Sequence, residues 1–421
     1  MWAVAAVTIA LCVLSPLRQL SSDTVGGRMG GATLRCGHDF DLGRIDWIDV
    51  VDRQGQYYDF TRHDHAQQIT SVFGPAPAVA GSVALLDFGE GDSLSDAVLR
   101  RRERDAAAVL LAISAALLAI ACRARTTVLR SVAAAMIAVL SFAGAASLGQ
   151  GLWQATTALP FLVGALAVLA HRSTHPRAAL ATPALALVAA MIRPTILPLA
   201  LAIGVAWAWQ TRERRSWLIA IALALVAATP LVVWNAIHYN SPFPLGQYFA
   251  NRDNPGAFGV GPSLVGVGGL LVSPARGLVW FAPIAIAGAI AGWRKHRALA
   301  IGVIAQLVVM ATFSKWHGGQ AYGPRLLAEA VWIALFLAVE LRLGLLAPLA
   351  ALTILVGQLG LWCFTPEQWE TRRRPEAHPG AFWDVVDSPI AATFGHATGE
   401  PAYDSTPAVV IRCVRGKILT R

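Results

Sequence analysis

Residues Trp217–Val233 read WLIAIALALVAATPLVV, an apolar run with no charged side chain. A helix needs roughly 20 such residues to cross about 30 Å of hydrocarbon. Lipid offers a backbone no hydrogen-bond partner, so a run of this kind must be helical. It also lacks the apolar–polar alternation of a barrel strand. Ala106–Cys122, Leu299–Phe313 and Gly344–Cys363 repeat the pattern. Only 14% of the 421 residues are charged and 56% are hydrophobic, against about 25% charged in soluble domains. The mean hydropathy is +0.54. The expected fold is all-α: a polytopic membrane helical bundle of about eleven spans.

The remaining spans follow from the arginines. Trp2–Leu17 is the first. It lacks a basic start and a small-x-small cleavage site, which favours a retained span over a removed leader. A long polar loop, 18–105, follows; its apolar stretch Pro75–Phe88 is too short to cross and is expected to lie along the interface. After Ala106–Cys122 come Ser131–Leu148, Trp153–Ala170, Ala178–Ile192, Pro194–Trp209, Trp217–Ile237, Leu278–Trp293, Leu299–Phe313, Leu326–Leu341 and Gly344–Cys363. Every second link is short and basic: Arg123 to Arg130, His171 to Arg177, Arg212 to Arg215, Arg294 to Arg297, and Arg342. Basic links of this kind are cytoplasmic. The other links then face outward, with residues 1–363 forming the membrane domain and 364–421 a polar extracytoplasmic tail. The net charge of +9 is therefore a topology signal and not a nucleic-acid footprint. Among the cysteines, Cys36, Cys363 and Cys413 fall at the outer face, and sequence does not choose a disulfide among them.

Candidate chemistry gathers on that face. Asp23, in Ser21-Ser22-Asp23-Thr24, stands just beyond the first span, where a carboxylate could take a proton from an acceptor hydroxyl. The plain alternative is a helix cap. Asp39 and Asp41 form a lone D-x-D, a weak metal candidate. Arg62-His63-Asp64-His65 offers imidazoles without matching ligands elsewhere. Arg193 lies between two apolar spans, where an ionisable residue is functional by default or else snorkels to the interface. Arg325 and Arg276 stand at the mouths of neighbouring spans, and several cations converging on one face point to an anionic ligand. Glu329 is expected to pair with a basic group, and Glu340 to reach the inner interface.

These pieces, in order along nearly the whole chain, resemble the GT-C superfamily of membrane glycosyltransferases. The resemblance is to bacterial relatives of the protein O-mannosyltransferases and of the aminoarabinose transferase that acts on lipid A. The matching segments are Ser22-Asp23-Thr24, Leu152-Trp153-Gln154, Ile192-Arg193-Pro194-Thr195, Trp234-Asn235 with Asn240-Ser241-Pro242, Leu270 to Leu278, and Trp316-His317-Gly318-Gly319 with Tyr322-Gly323-Pro324-Arg325. The resemblance implies that Asp23 is the base and that a polyprenyl-phosphate sugar is the donor, transferred with inversion. It places Arg193, and with it Arg325 and Arg276, at the lipid phosphate. It makes Trp153, Gln154, Trp316, His317 and Tyr322 candidate donor or acceptor contacts. The acceptor class is a glycan, lipid or protein, and the location is the bacterial inner membrane. Two departures bear on cofactors: the usual Asp-Glu pair is Asp-Thr here, and the turn at Gln150 carries no second carboxylate, which weighs against a divalent metal without excluding one. Two rival readings are a flippase of lipid-linked sugars, which predicts charges near the midplane, and a catalytically inactive relative.

Overall fold

The computed structural model describes residues 1–16, 24–45, 60–63, 68–71, 73–239, 241–243, 263–319, 321–364, 366–373, 375, 377–395 and 410–420. The described chain is mostly helical, and each apolar run named above contains a helix. Among the described residues, three helices are long and apolar enough to cross a membrane: Asp96–Arg123, Arg214–Tyr239 and Leu343–Cys363. They suggest membrane association. The other apolar helices are shorter, such as Trp2–Leu14, Val128–Leu140, Gln154–Ala170 and Arg297–Ala311. The apolar window of Arg214–Tyr239 is only 11% buried, with Leu225, Val226 and Ile237 bare. Apolar surface on that scale requires an apolar cover, which a bilayer supplies.

Hydropathy and helix boundaries differ instructively. The span expected at Ala106–Cys122 lies inside a helix that starts at Asp96. Ser95 caps it by accepting from the Val98 amide, Asp96 complements the helix N-terminus, and Asp96 pairs with Arg100 one turn on. Charged residues form helix readily, so hydropathy marks where the apolar run ends and not where the helix does.

The expected span Ser131–Leu148 is corrected more sharply. Its helix is Val128–Leu140, and residues 141–151 form a buried irregular turn. Irregular backbone away from water must satisfy its polar groups internally, and this turn does so. Gln150 Nε2 donates to the Ala145 carbonyl at 3.1 Å. Trp153 Nε1 donates to Ser147 O at 3.2 Å, Trp332 Nε1 to Ala143 O at 3.1 Å, and Thr156 Oγ1 to Leu148 O at 2.9 Å. A side chain at Gly144 would meet Val139 O at 2.2 Å, so the return is open to glycine alone. Two prolines coincide with breaks between helices. Arg193 is extended before Pro194, and the span expected at Leu278–Trp293 breaks at Ala282, before Pro283.

The polar end holds what an all-α reading misses. A glycine-rich helix, Val25–Gly37, packs on the helix Ala76–Ala84 that forms within the expected interfacial stretch. The second helix turns Pro77, Ala78 and Gly81 inward and leaves Val79 and Val83 exposed. Ser93–Ser95 pairs antiparallel with Val410–Val414, which pairs with Lys417–Thr420 through a tight hairpin at Arg415-Gly416. Both hairpin residues have positive φ, 51° and 70°, as two-residue loops on twisted strands require. The last strands of the tail thus complete a sheet begun in the first loop. Cys36 and Cys413 form a disulfide across 377 residues, and Cys363 is free. Glu90 accepts from the Arg415 and Gly416 amides beside it. The two cysteines and Glu90 do not form a metal site, because disulfide sulfurs are not thiolate ligands. Sequence missed this sheet because its strands are short and one partner lies hundreds of residues away.

Candidate functional site

Arg325 opens the short turn Arg325–Leu327 ahead of the helix Ala328–Ala338. Its guanidinium carbon lies 4.2 Å above the centre of the Trp153 ring, a cation–π contact in a buried setting. Trp153 is fixed in turn as the residue before the helix Gln154–Ala170, with its indole N–H held by Ser147. Gln154 Nε2 donates to Phe73 O at 2.8 Å, tying this helix to the first loop. One turn beyond Arg325, the completely buried Glu329 stands 3.1 Å from Arg193 Nε. The contact is an ion pair and not an aligned hydrogen bond, since neither Glu329 oxygen has a hydrogen-bond partner. Arg193 Nε also donates to Thr195 Oγ1 at 3.1 Å. The expected partner of Glu329 is therefore Arg193, presented by the break ahead of Pro194.

Arg276 is placed nearby but differs from expectation. It is wholly buried, and its donors are taken. Nε goes to His317 O at 2.9 Å, Nη1 to Ala275 O at 3.0 Å, and Nη2 to Gly319 O at 3.1 Å and Glu370 Oε1 at 3.0 Å. Trp369 and Phe382 flank it at 5.5 and 6.0 Å. Burial first, and then the field of Arg325, lowers its pKa to about 10 against the pull of Glu370, so it stays charged at neutral pH. A guanidinium engaged in this way positions the 317–319 loop; it does not offer itself to a phosphate.

His317 opens that loop, its ring 4.7 Å from Phe382, with Nδ1 accepting from the Gly319 amide at 3.2 Å. Burial, followed by Arg276, Lys315 and Arg325, pushes its pKa down to about 3. The folded imidazole thus stays neutral far below the ordinary 6.5 at which the unfolded chain takes a proton. Its contribution to stability is complete above pH 6.5 and is lost as pH falls towards 3, by up to about 1.4 kcal/mol per unit. Thermal unfolding followed from pH 7.5 to 4.5 is expected to show this slope in wild type and a shallower one in His317→Gln. Equal slopes would place the acid sensitivity elsewhere.

Trp316 and Tyr322, expected as ligand contacts, are packing residues. The Trp316 ring fills the space beside Gly269, where a Cβ would come within 2.3 Å. Tyr322 is buried between Phe281 and Phe364, with its hydroxyl donating to Val356 O at 2.9 Å. Both lie in apolar surroundings that a sequence reading cannot tell from an interfacial belt.

Asp23 lies outside the described residues, as do Asp64 and His65. Its neighbour Thr24 precedes the helix Val25–Gly37 and makes no side-chain cap bond. Thr24 Cγ2 lies 3.0 Å from where a Gly151 Cβ would stand, and Glu103 Oε1 lies 3.2 Å from the same point. Gly151 is two residues before Trp153, so the start of the first-loop helix and the Arg325 cation meet at one turn. Glu103 was not foreseen. It is buried, accepts from the Leu152 amide at 3.0 Å, and binds Arg28 Nη1 at 3.1 Å. Its sequence signal, one acid inside an arginine run, reads as an ordinary solvated face. Glu103 thus brings a carboxylate from another helix to the turn at residues 150–152. Asp39 chelates Arg44 through both oxygens, while Asp41 accepts from the Gly43 and Ile69 amides at 2.9 and 3.0 Å. Both are committed to folding the loop, which leaves little for a cation.

No protein-family model, curated protein or solved structure matches the chain.

Proposed function

We propose that the chain is an inverting membrane glycosyltransferase of the GT-C type, moving a sugar from a polyprenyl-phosphate donor to an extracytoplasmic glycan, lipid or protein. In this reading about eleven helices span the inner membrane, three of the shorter ones lengthened by 3₁₀ turns at Ala178–Ala181, Pro194–Ile196 and Arg325–Leu327, and Ala76–Ala84 lies along the interface with Val79 and Val83 in lipid. The Cys36–Cys413 disulfide supports placing the first loop and tail outside, where thiols oxidise.

The observation that carries the proposal is the convergence of Arg193 and Arg325 around Glu329 and Trp153, beside the turn that touches Thr24. Asp23 takes the proton of the acceptor hydroxyl as its oxygen bonds to the anomeric carbon. The bond from that carbon to the phosphate oxygen breaks, and polyprenyl phosphate leaves with the electron pair. Arg325 and Arg193 stabilise the charge growing on the phosphate, where fixed cations in low-dielectric surroundings act strongly. Arg276 and His317 hold the neighbouring loop. A flippase has less support, because the buried cations gather at one rim.

Sugar release from a panel of polyprenyl-phosphate sugars tests the reading. Wild type is expected to turn over at least one donor, and Asp23→Asn to do so at least about tenfold more slowly. Equal rates in both, or no turnover by wild type on any donor, would overturn it.

A further inference from the structure

A second cluster of cations lies at the opposite end of the bundle. Arg125, Arg294, Lys295 and Arg297 line a cavity of about 360 Å³ together with Trp209 and Phe336. Glu340 is the carboxylate among them. It binds Arg125 at 2.8 Å and Lys295 at 2.8 Å, and Arg125 also sits 4.5 Å above the Phe336 ring. Arg294 and Arg297 are exposed and form no ion pair among the described residues. Basic residues at this face orient any membrane protein, but orientation alone does not require them to ring a cavity with an apolar floor of Leu166, Leu169 and Ala206. Nor does it require what adjoins them. Arg294 also lines a larger groove of about 540 Å³, whose walls include Ile286, Ile290, Ile304 and Leu307 and which extends to Leu278 and Leu327.

We propose that these two adjoining cavities form one binding site for an anionic glycerophospholipid of the cytoplasmic leaflet. The phosphate is held by Arg294 and Arg297, with Arg125 and Lys295 beside them, and an acyl chain lies in the apolar groove. Basic pockets between membrane helices are suited to such headgroups. Arg294 stands where the two cavities meet, at the position of the phosphate between headgroup and chain. Glu340 neutralises only part of the positive charge, so the pocket selects against a zwitterionic lipid. The pKa of His296 is lowered to about 4, by burial first and then by Arg125, so it adds no charge and can accept a hydrogen bond from a glycerol hydroxyl. The site is independent of the transferase reading, since it shares no residue with the Arg325 cluster.

The test uses the full chain in detergent, with bound lipid counted by native mass spectrometry. Phosphatidylglycerol, phosphatidylcholine of matching chains and inorganic phosphate are titrated separately. Phosphatidylglycerol is expected to bind saturably, phosphatidylcholine at least about tenfold more weakly, and inorganic phosphate not to compete. Arg294→Gln/Arg297→Gln is expected to weaken phosphatidylglycerol binding about thirty-fold, while Arg212→Gln/Arg214→Gln, in another basic link of the same face, leaves it unchanged. Ala289→Trp, which fills the groove without altering charge, is expected to weaken it also. Equal loss in the two arginine pairs would show a diffuse surface effect and overturn the proposal. Equal binding of the two lipids, or competition by inorganic phosphate, would overturn it as well.

Discussion

Arg193→Met is expected to destabilise the protein by about 3–5 kcal/mol, and Arg193→Met/Glu329→Leu to recover most of that loss. Glu329 is completely buried and stands 3.1 Å from Arg193. Deleting one member of a buried pair leaves the other charge uncompensated, at the cost just given, whereas replacing both with apolar residues is often neutral or better. Arg325, one turn away, places the single variant towards the lower end of the range. Methionine keeps much of the arginine stem's packing, so the loss reports on charge. The measurement is thermal unfolding in one detergent for wild type, both single variants and the double. Additive losses in the double variant would show that the two residues do not interact.

Arg325→Met is expected to slow sugar release by about 10²–10³-fold, the loss seen when one preorganised stabiliser of transition-state charge is removed. Its effect on stability should be smaller, about 0.5–2 kcal/mol, the value of the cation–π contact with Trp153. That split separates a reacting-centre cation from a packing residue. Arg325→Lys restores the charge but neither the planar stack nor the paired donors, so it should recover only part of the rate. Unchanged turnover in Arg325→Met, in a preparation where Asp23→Asn is slowed as expected, would remove Arg325 from the site and leave the rest of the proposal standing.

The helices themselves were legible because a long apolar run removed from water can pair its backbone polar groups only within itself, so runs such as Trp217–Val233 carry their own conformation. The break at Arg193 was equally local, since Pro194 disfavours helix at the residue before it. The convergence of Arg193, Glu329 and Arg325 was only half visible. Each is conspicuous as a charge bordering an apolar run, yet nothing in the run states which partner it meets. The Glu103–Arg28 pair was hidden altogether, because an acid inside Arg100-Arg101-Arg102-Glu103-Arg104 looks like solvated surface until another helix covers it.

Sequence alone thus determined the helical character of this chain and the alternation of its basic links, both of which follow from interactions within a few residues. The tertiary structure alone decided which cysteine joins Cys36, that the tail closes a sheet with the first loop, that residues 141–151 leave the helix to form the turn beneath Trp153, and that Arg276 is spent on a loop while Arg325 stacks on a ring. Each of these depends on contacts between residues far apart in the chain, whose energies come from burial and pairing that no local pattern encodes.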